Sequence, residues 1–165
     1  MAIQGIEQPE IIQIDDTLRL RKYDGVHDFA LEWYQDEETV YLVDGKRGPY
    51  TIERLSGMYR YLNNAGELYF IEVFENGTYK PIGDVTFWQE DMPIVIGDRN
   101  YRGRKIGRRV VSALVKRGKS LGYDATIILH FVNSKGKMYK ITFKDAISKI
   151  PGEYTLEWDN GSYID

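Results

Sequence analysis

The segment Ile94-Val-Ile-Gly-Asp-Arg-Asn-Tyr-Arg-Gly-Arg-Lys-Ile-Gly-Arg-Arg-Val110 runs from a β-branched stretch through a basic, glycine-containing turn into an amphipathic helix. Glycines at 103 and 107 let the backbone turn tightly and approach a ligand. The first turn of a helix leaves several amide N–H groups without partners, and such amides bind anions. We therefore expect a polyanionic group to bind where this turn enters the helix.

The distribution of charge supports an anion site at this turn. Nine basic residues and no acidic one lie between Arg99 and Lys119, whereas the rest of the chain holds 13 basic residues against all 25 acidic ones. The net charge of the whole chain is −3, which makes it a poor general binder of nucleic acid. The basic turn thus predicts a compact polyanion such as a diphosphate.

Length and composition predict one domain that spans residues 1–165, because 42% of the 165 residues are apolar. There is no cysteine, and His27 and His130 are far apart in sequence, so we expect neither a disulfide framework nor a metal site. No basic leader, apolar signal region or membrane-spanning stretch is visible, which predicts a cytoplasmic protein.

The first half of the chain contains patterns for a strand, two helices and a meander. Apolar and charged residues alternate over 17–22 and predict the first strand; helical spacing predicts helices over 28–34 and 52–62, with Thr51 as an N-cap. Strands are predicted over 68–74 and 79–88 around the turn Glu75-Asn-Gly77, followed by a strand over 92–96.

The second half predicts a helix that packs by one face and a crossover to a buried strand. Residues 106, 110, 111, 114, 115 and 121 form one apolar stripe, Gly122 ends the helix, and the apolar run 125–132 predicts a parallel strand. A short helix is expected over about 134–141 and a closing strand over 154–158. The expected fold is α/β, a central mixed β-sheet flanked by helices.

The motif Arg102-Gly-Arg-Lys-Ile-Gly107 fits neither the loop of nucleoside triphosphatases nor the dinucleotide fingerprint. It resembles the Q/R-x-x-G-x-G/A signature of the GNAT N-acetyltransferases, and the order of strands and helices around it resembles that family over most of the chain. Trp33-Tyr-Gln-Asp36 and Ile82-Gly-Asp-Val85 are most similar to the branch of ribosomal-protein and aminoglycoside acetyltransferases.

The resemblance implies a GNAT-like acyl-CoA N-acyltransferase fold and the transfer of an acetyl group from acetyl-CoA to a primary amine, by direct attack in a ternary complex. It implies that the pyrophosphate of acetyl-CoA binds on the signature loop. Unpaired strand amides would take the pantetheine arm, and an amide near Val95 would polarise the thioester carbonyl. The residues implied in binding acetyl-CoA are Val95, Ile96, Arg102, Gly103, Arg104, Lys105, Ile106, Gly107, Arg108 and Asn133.

For the proton transfers, the resemblance implies Tyr139 as donor to the leaving thiolate, and we select Asp98 as acceptor of the amine's proton. Each has a structural alternative, because a helix tyrosine can simply cap the core and an aspartate in a turn can cap local amides. The other candidate acceptors are Glu72, Glu90 and Asp91.

Two positions depart from the family pattern. Lys105 stands where the signature has its first glycine, which we expect to be tolerated only with φ below zero. The segment from Asn133 to Phe143 is two residues shorter than the family's, with Thr142 in place of a glycine. These departures leave open a GNAT-like protein that binds CoA without efficient catalysis.

The acidic remainder of the chain suggests the acceptor. Glu32, Asp36, Glu37 and Glu38 would attract a cationic amine, such as a polyamine, an aminoglycoside or a protein N-terminus. No nucleic-acid or membrane partner is expected, and the chain is expected to be a monomer or a homodimer. A nucleic-acid-binding module that uses the basic helix is the further alternative.

Overall fold

Five strands form a central sheet, and helices pack against it. The computed structural model describes residues 3, 5–45, 48–88, 91–123, 128–132 and 138–142, the last two ranges by their backbone. The strands are β1 (Ile11–Asp15), β2 (Leu18–Lys22), β3 (Glu67–Glu75), β4 (Thr78–Phe87), β5 (Ile94–Ile96), β6 (Ile128–Val132) and β7 (Met138–Thr142). The helices are α1 (Leu31–Gln35), α2 (Glu37–Asp44), α3 (Ile52–Ala65) and α4 (Ile106–Ser120), with 3-10 turns at Asp28–Ala30 and Arg99–Tyr101. The predicted α/β class is confirmed.

The sheet has the order β1-β2-β3-β4-β5, and all its neighbouring strands are antiparallel. Asn76 and Gly77 join β3 to β4 with φ of 52° and 81°, the left-handed pair that a tight hairpin requires. A bulge between Ile71 and Glu72 disturbs this pairing next to Gly83. A side chain at Gly83 would collide with the carbonyl oxygen of Val95, so glycine there lets β5 approach closely.

Each face of the sheet has its own apolar core. One core joins β2, β3 and β4 to the predicted stripe of α4, whose residues Ile106, Val110, Val111, Leu114 and Val115 are at most 4% exposed. The other joins β3 to α1, α2 and α3 and is rich in aromatic rings. Its buried members are Ala30, Trp33, Tyr34, Val40, Tyr50, Leu55, Tyr59, Leu68 and Phe70. None of the described helices is both long enough and apolar enough to cross a membrane.

The N-terminal helices differ in part from the sequence expectation. Thr51 caps α3 as predicted, since its hydroxyl accepts a hydrogen bond from the Arg54 amide at 3.3 Å. Helix α2 and strand β1 were not anticipated. Local signals for α2 exist, because Asp36 caps its first turn by accepting from Thr39 N and Gly45 ends it with φ of 64°.

Two expectations for the C-terminal half are wrong over the described residues. Strand β6 does not pair in parallel with the central sheet; it pairs antiparallel with β7. The helix expected over 134–141 is absent from 138–141, which lie in β7. A five-residue connection makes this local pairing cheap in chain entropy, and Tyr139 and Ile141 favour strands. The expected closing strand over 154–158 lies outside the described residues.

The turn into α4 adopts left-handed backbone at two positions. Gly103 has φ of 73°, and Lys105 has φ of 60° and ψ of 16°. The expectation that Lys105 needs φ below zero is therefore wrong, because the chain keeps at this position the conformation that a glycine adopts readily. The exposed lysine carries strain of about 1 kcal/mol relative to glycine.

A carboxyl group lies inside the aromatic core. The hydroxyls of Tyr34 and Tyr59 both donate to Asp84 Oδ2, each at 2.8 Å, and Asp84 is 3% exposed. Burial raises the pKa of Asp84 to about 6, although the two hydroxyl donors oppose the shift. Asp84 thus ties α1 and α3 to β4 through one shared oxygen.

Replacing Lys105 with Gly should raise the free energy of unfolding by about 0.5–1 kcal/mol, because glycine adopts positive φ without strain. Urea denaturation measures the change. Lys105→Ala is the matched control, since it removes the same charge and keeps the Cβ, and it should bring no gain. Equal stabilities for the Gly and Ala variants would contradict a left-handed residue 105.

Asp84→Asn should change how stability depends on pH, because Asn still accepts from the tyrosine hydroxyls but cannot ionise. Between the carboxyl's ordinary pKa of 3.8 and its folded value of about 6, the folded protein binds more protons than the unfolded chain. The wild type should therefore lose stability relative to the variant as pH rises from about 4 to about 6, by about 2 kcal/mol. Urea denaturation of both proteins at several pH values checks this. A constant difference would contradict the buried, protonated carboxyl.

Candidate functional site

Six consecutive backbone amides at the start of α4 have no hydrogen-bond acceptor among the described residues. They belong to residues 103–108, between Arg102 N, which donates to Arg99 O at 3.2 Å, and Arg109 N, which donates to Lys105 O at 3.2 Å. The positive φ values of Gly103 and Lys105 curve this stretch. Successive amides in such a curve form a concave anion site, and the helix dipole adds to it. We call residues 103–108 the amide loop.

The side chains around the amide loop leave its centre accessible. Ile106 is 4% exposed and anchors α4 in the core, whereas Arg104 and Lys105 are exposed. The Arg104 guanidinium lies 5.0 Å from the centre of the Tyr101 ring. A Cβ at Gly107 would come no closer than 3.9 Å to Ile94 Cδ1, so the protein's own packing would tolerate a side chain there. Because residue 107 is glycine, no side chain at this position covers the first turn of α4.

Arg102 holds the amide loop from behind. Its Nε donates to the carbonyl oxygen of Ile96 at 2.9 Å, and its Nη2 donates to Thr39 Oγ1 at 2.7 Å. Its Nη1 lies 3.4 Å from Glu38 Oε2. These contacts connect the end of β5 to the first turn of α2. The guanidinium is thus engaged within the protein, and its role is to position the loop.

The outer edge of β5 is open, since β5 pairs only with β4 among the described strands. Thr86 N donates to Pro93 O at 3.0 Å, and Asp84 lies opposite Val95 two residues further along. Hydrogen-bonded pairs recur at every second residue of an antiparallel ladder. The peptide groups of Val95 therefore face β4, and those of Ile96 face the open edge. The structure thus separates the two residues that were expected to share the pantetheine arm.

Asp98 lies between β5 and the amide loop and is held by several donors. Lys80 Nζ donates to Oδ2 at 2.7 Å, and the main-chain and side-chain nitrogens of Asn100 both donate to Oδ1 at 3.0 Å. Burial opposes ionisation, but these donors and the lysine charge lower the pKa of Asp98. Asp98 thus has the geometry of a residue that caps local amides: its carboxylate begins the 3-10 turn at Arg99–Tyr101.

The other candidate acid–base residues differ in availability. Arg19 and Arg21 donate to Glu72 at 2.7 and 2.6 Å, so both of its oxygens are engaged. Asp91 Oδ1 accepts from the Met92 amide at 2.8 Å. Glu90 and Asn133 lie outside the described residues. Tyr139 lies in β7 opposite Phe131, not on a helix, and the structure describes its backbone.

A cleft of about 750 Å³ lies beside Asp98, between α1 and the start of β4. Its walls are Phe29, Glu32, Trp33, Asp36, Lys80, Pro81, Gly97, Asp98, Arg99 and Asn100. Its aromatic residues, Phe29 and Trp33, were not among the site residues predicted from the sequence. The sequence did contain a local pattern for this wall: Phe29 and Trp33 are four residues apart, as on one face of a helix, and Glu32 directly precedes Trp33.

Packing connects the cleft to β5. Trp33 contacts the backbone of Gly97 so closely that a Cβ at Gly97 would lie 2.7 Å from Trp33 Cβ. Phe29 is 37% exposed, and its ring meets Trp33 edge to face at 5.7 Å. The loop that follows β5 therefore forms one wall of the cleft and then continues into the amide loop.

The carboxylates of the cleft are not equivalent. Asp36 is paired with Arg99, whose Nη2 lies 2.5 Å from Oδ1 and 3.0 Å from Glu38 Oε2. Of the four acidic residues expected to attract a cation, Asp36 and Glu38 are thus neutralised within the protein. Glu32 is exposed on the cleft wall and has no partner among the described residues. It is the carboxylate best placed to meet a cationic ligand.

Comparison with known proteins identifies the family. A family model described as the acetyltransferase (GNAT) family matches residues 27–140. No curated protein sequence matches the chain.

Solved structures show the same fold at low sequence identity. A domain from Methanocaldococcus jannaschii DSM 2661 is 20% identical with a TM-score of 0.60, covering 71% of this chain and 79% of that one. A GNAT-family acetyltransferase from Bacillus anthracis is 16% identical with a TM-score of 0.57, covering 73% and 72%. The acetyltransferase that modifies the N-terminal serine of ribosomal protein L7/L12 in Salmonella typhimurium is 18% identical with a TM-score of 0.56, covering 76% and 77%.

The family match spans the elements that build the cleft, the open edge of β5 and the amide loop, and it confirms the resemblance seen in the sequence. Because it covers more than half of the chain, from before α1 into β7, this protein belongs to the GNAT family and is an N-acetyltransferase.

Proposed function

We propose that this enzyme transfers the acetyl group of acetyl-CoA to a primary amine that binds beside it in a ternary complex. The observation that carries the proposal is the continuity of three features: the six amides of residues 103–108 that have no acceptor among the described residues, the outward-facing amide of Ile96 and the cleft at Asp98. Together they provide an anion site, a strand edge and an acceptor site along one stretch of backbone.

The residues present fit acetyl-CoA. The amide loop supplies donors for the pyrophosphate, and the exposed side chains of Arg104 and Lys105 add positive charge. The half-exposed Arg108 lies in the first turn of α4. The Ile96 amide on the open edge of β5 is the donor for the pantetheine arm. The side chain of Val95 packs against the aromatic core. Asn133 stays a prediction from the family resemblance.

Acetyl-CoA supplies a thioester, whose acetyl carbon forms a bond to the amine nitrogen as the carbon–sulfur bond breaks. The chain contributes mainly positioning, because a bound amine and a bound thioester react as if at very high concentration. The amine must be neutral when it attacks, so its proton leaves towards solvent or a cleft carboxylate. Tyr139 as donor to the sulfur, and Asp98 as acceptor, stay predictions.

The cleft favours a cationic acceptor. Glu32 offers a carboxylate that has no partner within the described part of the chain, and Phe29 and Trp33 offer ring surfaces that attract ammonium groups. A polyamine, an aminoglycoside or a protein N-terminus has this chemistry, as we expected from the sequence. Modification of a protein N-terminus is what one structural neighbour does.

A nucleic-acid-binding role is disfavoured by how the basic residues are used. Arg99, Arg102, Arg109 and Arg117 all form ion pairs with carboxylates of the same chain. Four of the nine basic residues counted between Arg99 and Lys119 are therefore already used within the protein, which weakens the case for a long polyanion. A protein that binds CoA without efficient catalysis remains the second candidate, because Lys105 departs from the family pattern.

Saturating acetyl-CoA should raise the melting temperature, because a ligand that binds the folded state stabilises it by mass action. In the same buffer, DNA and RNA should not. Thiol release from acetyl-CoA should then accelerate with at least one member of a panel of polyamines, aminoglycosides and peptides with free N-termini. Stabilisation without release across the panel would favour the second candidate; no stabilisation would contradict the proposal.

The Asp98→Asn variant, assayed with the amine that reacts fastest in the panel, should show whether Asp98 accepts the amine's proton or only holds the turn in place. Because the pKa of Asp98 is lowered, its carboxylate is a weak base, and we expect KM for the amine to rise while kcat falls less than tenfold. The variant keeps an acceptor for Asn100 N, so the fold should persist. A fall in kcat of a hundredfold or more at unchanged KM would instead identify Asp98 as the proton acceptor.

A further inference from the structure

The basic residues between Arg99 and Lys119 are not all neutralised by the fold. Four of the arginines pair with carboxylates, at Asp36, Glu38, Asp15 and Glu67. Arg104 lies over the Tyr101 ring. Three cations of this stretch have no acidic partner among the described residues: Lys105, Arg108 and Lys116.

These three cations line a single groove between β1 and α4. The groove has a volume of about 680 Å³, and Ile12, Ile14 and Ala113 contribute its apolar surface. Arg108 and Lys116 are eight residues apart on the helix, with Ser112 midway, so they lie along one side of α4. The one groove-lining acid, Asp15, is paired with Arg109. Positive charge therefore dominates the groove.

The groove also borders an open strand edge. Strand β1 ends the sheet order and pairs with no described strand other than β2. Lys22 N donates to Glu10 O at 2.9 Å, and Ile12 lies opposite Leu20 two residues on. The alternation of the ladder therefore directs the peptide groups of Ile11 and Gln13 to the open edge. Such an edge can accept an added strand.

We propose that this groove binds an extended acidic segment of a partner protein, which pairs with the open edge of β1. Its carboxylates meet Lys105, Arg108 and Lys116, and its apolar side chains contact Ile12 and Ile14. Backbone pairing combined with side-chain pockets is a common mode of peptide recognition. The remaining surface of the chain is net acidic, so it repels an acidic segment everywhere else and guides it to this groove.

Two other anions fit the groove less well. Nucleic acid has no backbone amide or carbonyl to pair with Ile11 and Gln13, and apolar residues at Ile12 and Ile14 give it nothing to bind. The phosphates of acetyl-CoA belong at the amide loop. Lys116 lies ten residues beyond Ile106, which places it about 15 Å along the helix axis from that loop.

The test uses the full chain and a fluorescein-labelled peptide of alternating Glu and Val, with binding followed by fluorescence anisotropy at low salt. We expect saturable binding that weakens with added salt. Lys116→Glu should weaken it at least tenfold, and the milder Lys116→Gln should weaken it in the same direction. Arg60→Glu is the matched control, an exposed charge reversal on α3 outside the groove, and should leave the affinity unchanged.

Further arms separate this proposal from its alternatives. A peptide of the same sequence with every backbone amide N-methylated has no N–H to donate to β1 and should bind at least tenfold more weakly. Equal binding of this peptide, or tighter binding of a single-stranded oligonucleotide, would overturn the proposal. So would equal losses in Lys116→Glu and Arg60→Glu. Stabilisation by acetyl-CoA should be the same in Lys116→Glu and wild type, so failure of this proposal leaves the proposed enzymatic function standing.

Discussion

The turn from β5 into α4 depends on left-handed backbone at Gly103 and Lys105. With φ of 73° and 60°, these residues curve the chain, and six amides in succession have no acceptor among the residues that the structure describes. Four of them, at residues 105–108, are the amides that the first turn of any helix leaves without a partner, and the left-handed turn adds those of residues 103 and 104. Unpaired amides are costly when buried but are useful where an anion binds, so the strain at Lys105 is placed where a ligand can compensate for it.

The surroundings of the turn hold it in this shape. The Arg102 guanidinium donates hydrogen bonds to the Ile96 carbonyl oxygen and to the Thr39 hydroxyl of α2. Trp33 of α1 packs against the backbone of Gly97. The acidic residues near the turn contribute more to this support than to ligand binding, because Asp36 and Glu38 neutralise its arginines. Part of the charge pattern of the sequence is thus an internal network. Over the part of the chain that the structure describes, Glu32 on the acceptor side and Lys105, Arg108 and Lys116 beside β1 have no partner of opposite charge.

Local patterns in the sequence predicted the elements that depend on neighbouring residues. Thr51 at a helix start, Asn76-Gly77 in a hairpin and the apolar stripe of α4 act over a few residues, and the structure has all of them. Helix α2 has equally local signals, a capping aspartate at Asp36 and a left-handed glycine at Gly45, and was predictable in the same way.

Features that depend on tertiary contacts could not be predicted in this way. Tyr34 and Tyr59 lie 50 and 25 residues from Asp84, and Arg102 lies 63 from Thr39. The direction of the Val95 amide follows from the register between β4 and β5. A sequence pattern cannot distinguish this register from one shifted by a single residue, which would turn the amide to the other side. The left-handed backbone at Lys105 is set by the chain on both sides of it, against the preference of lysine itself.

We expect the backbone amides of residues 103–108 to be the main donors to the phosphates of acetyl-CoA, with the basic side chains of the turn adding positive charge. Titration of ¹⁵N-labelled protein with acetyl-CoA, followed by amide NMR shifts, tests it directly. The largest shifts should fall on the amides of residues 103–108 and of Ile96. Saturating acetyl-CoA that leaves these amides unshifted, or that shifts mainly the amides of β1 and of residues 112–116, would contradict binding at the amide loop.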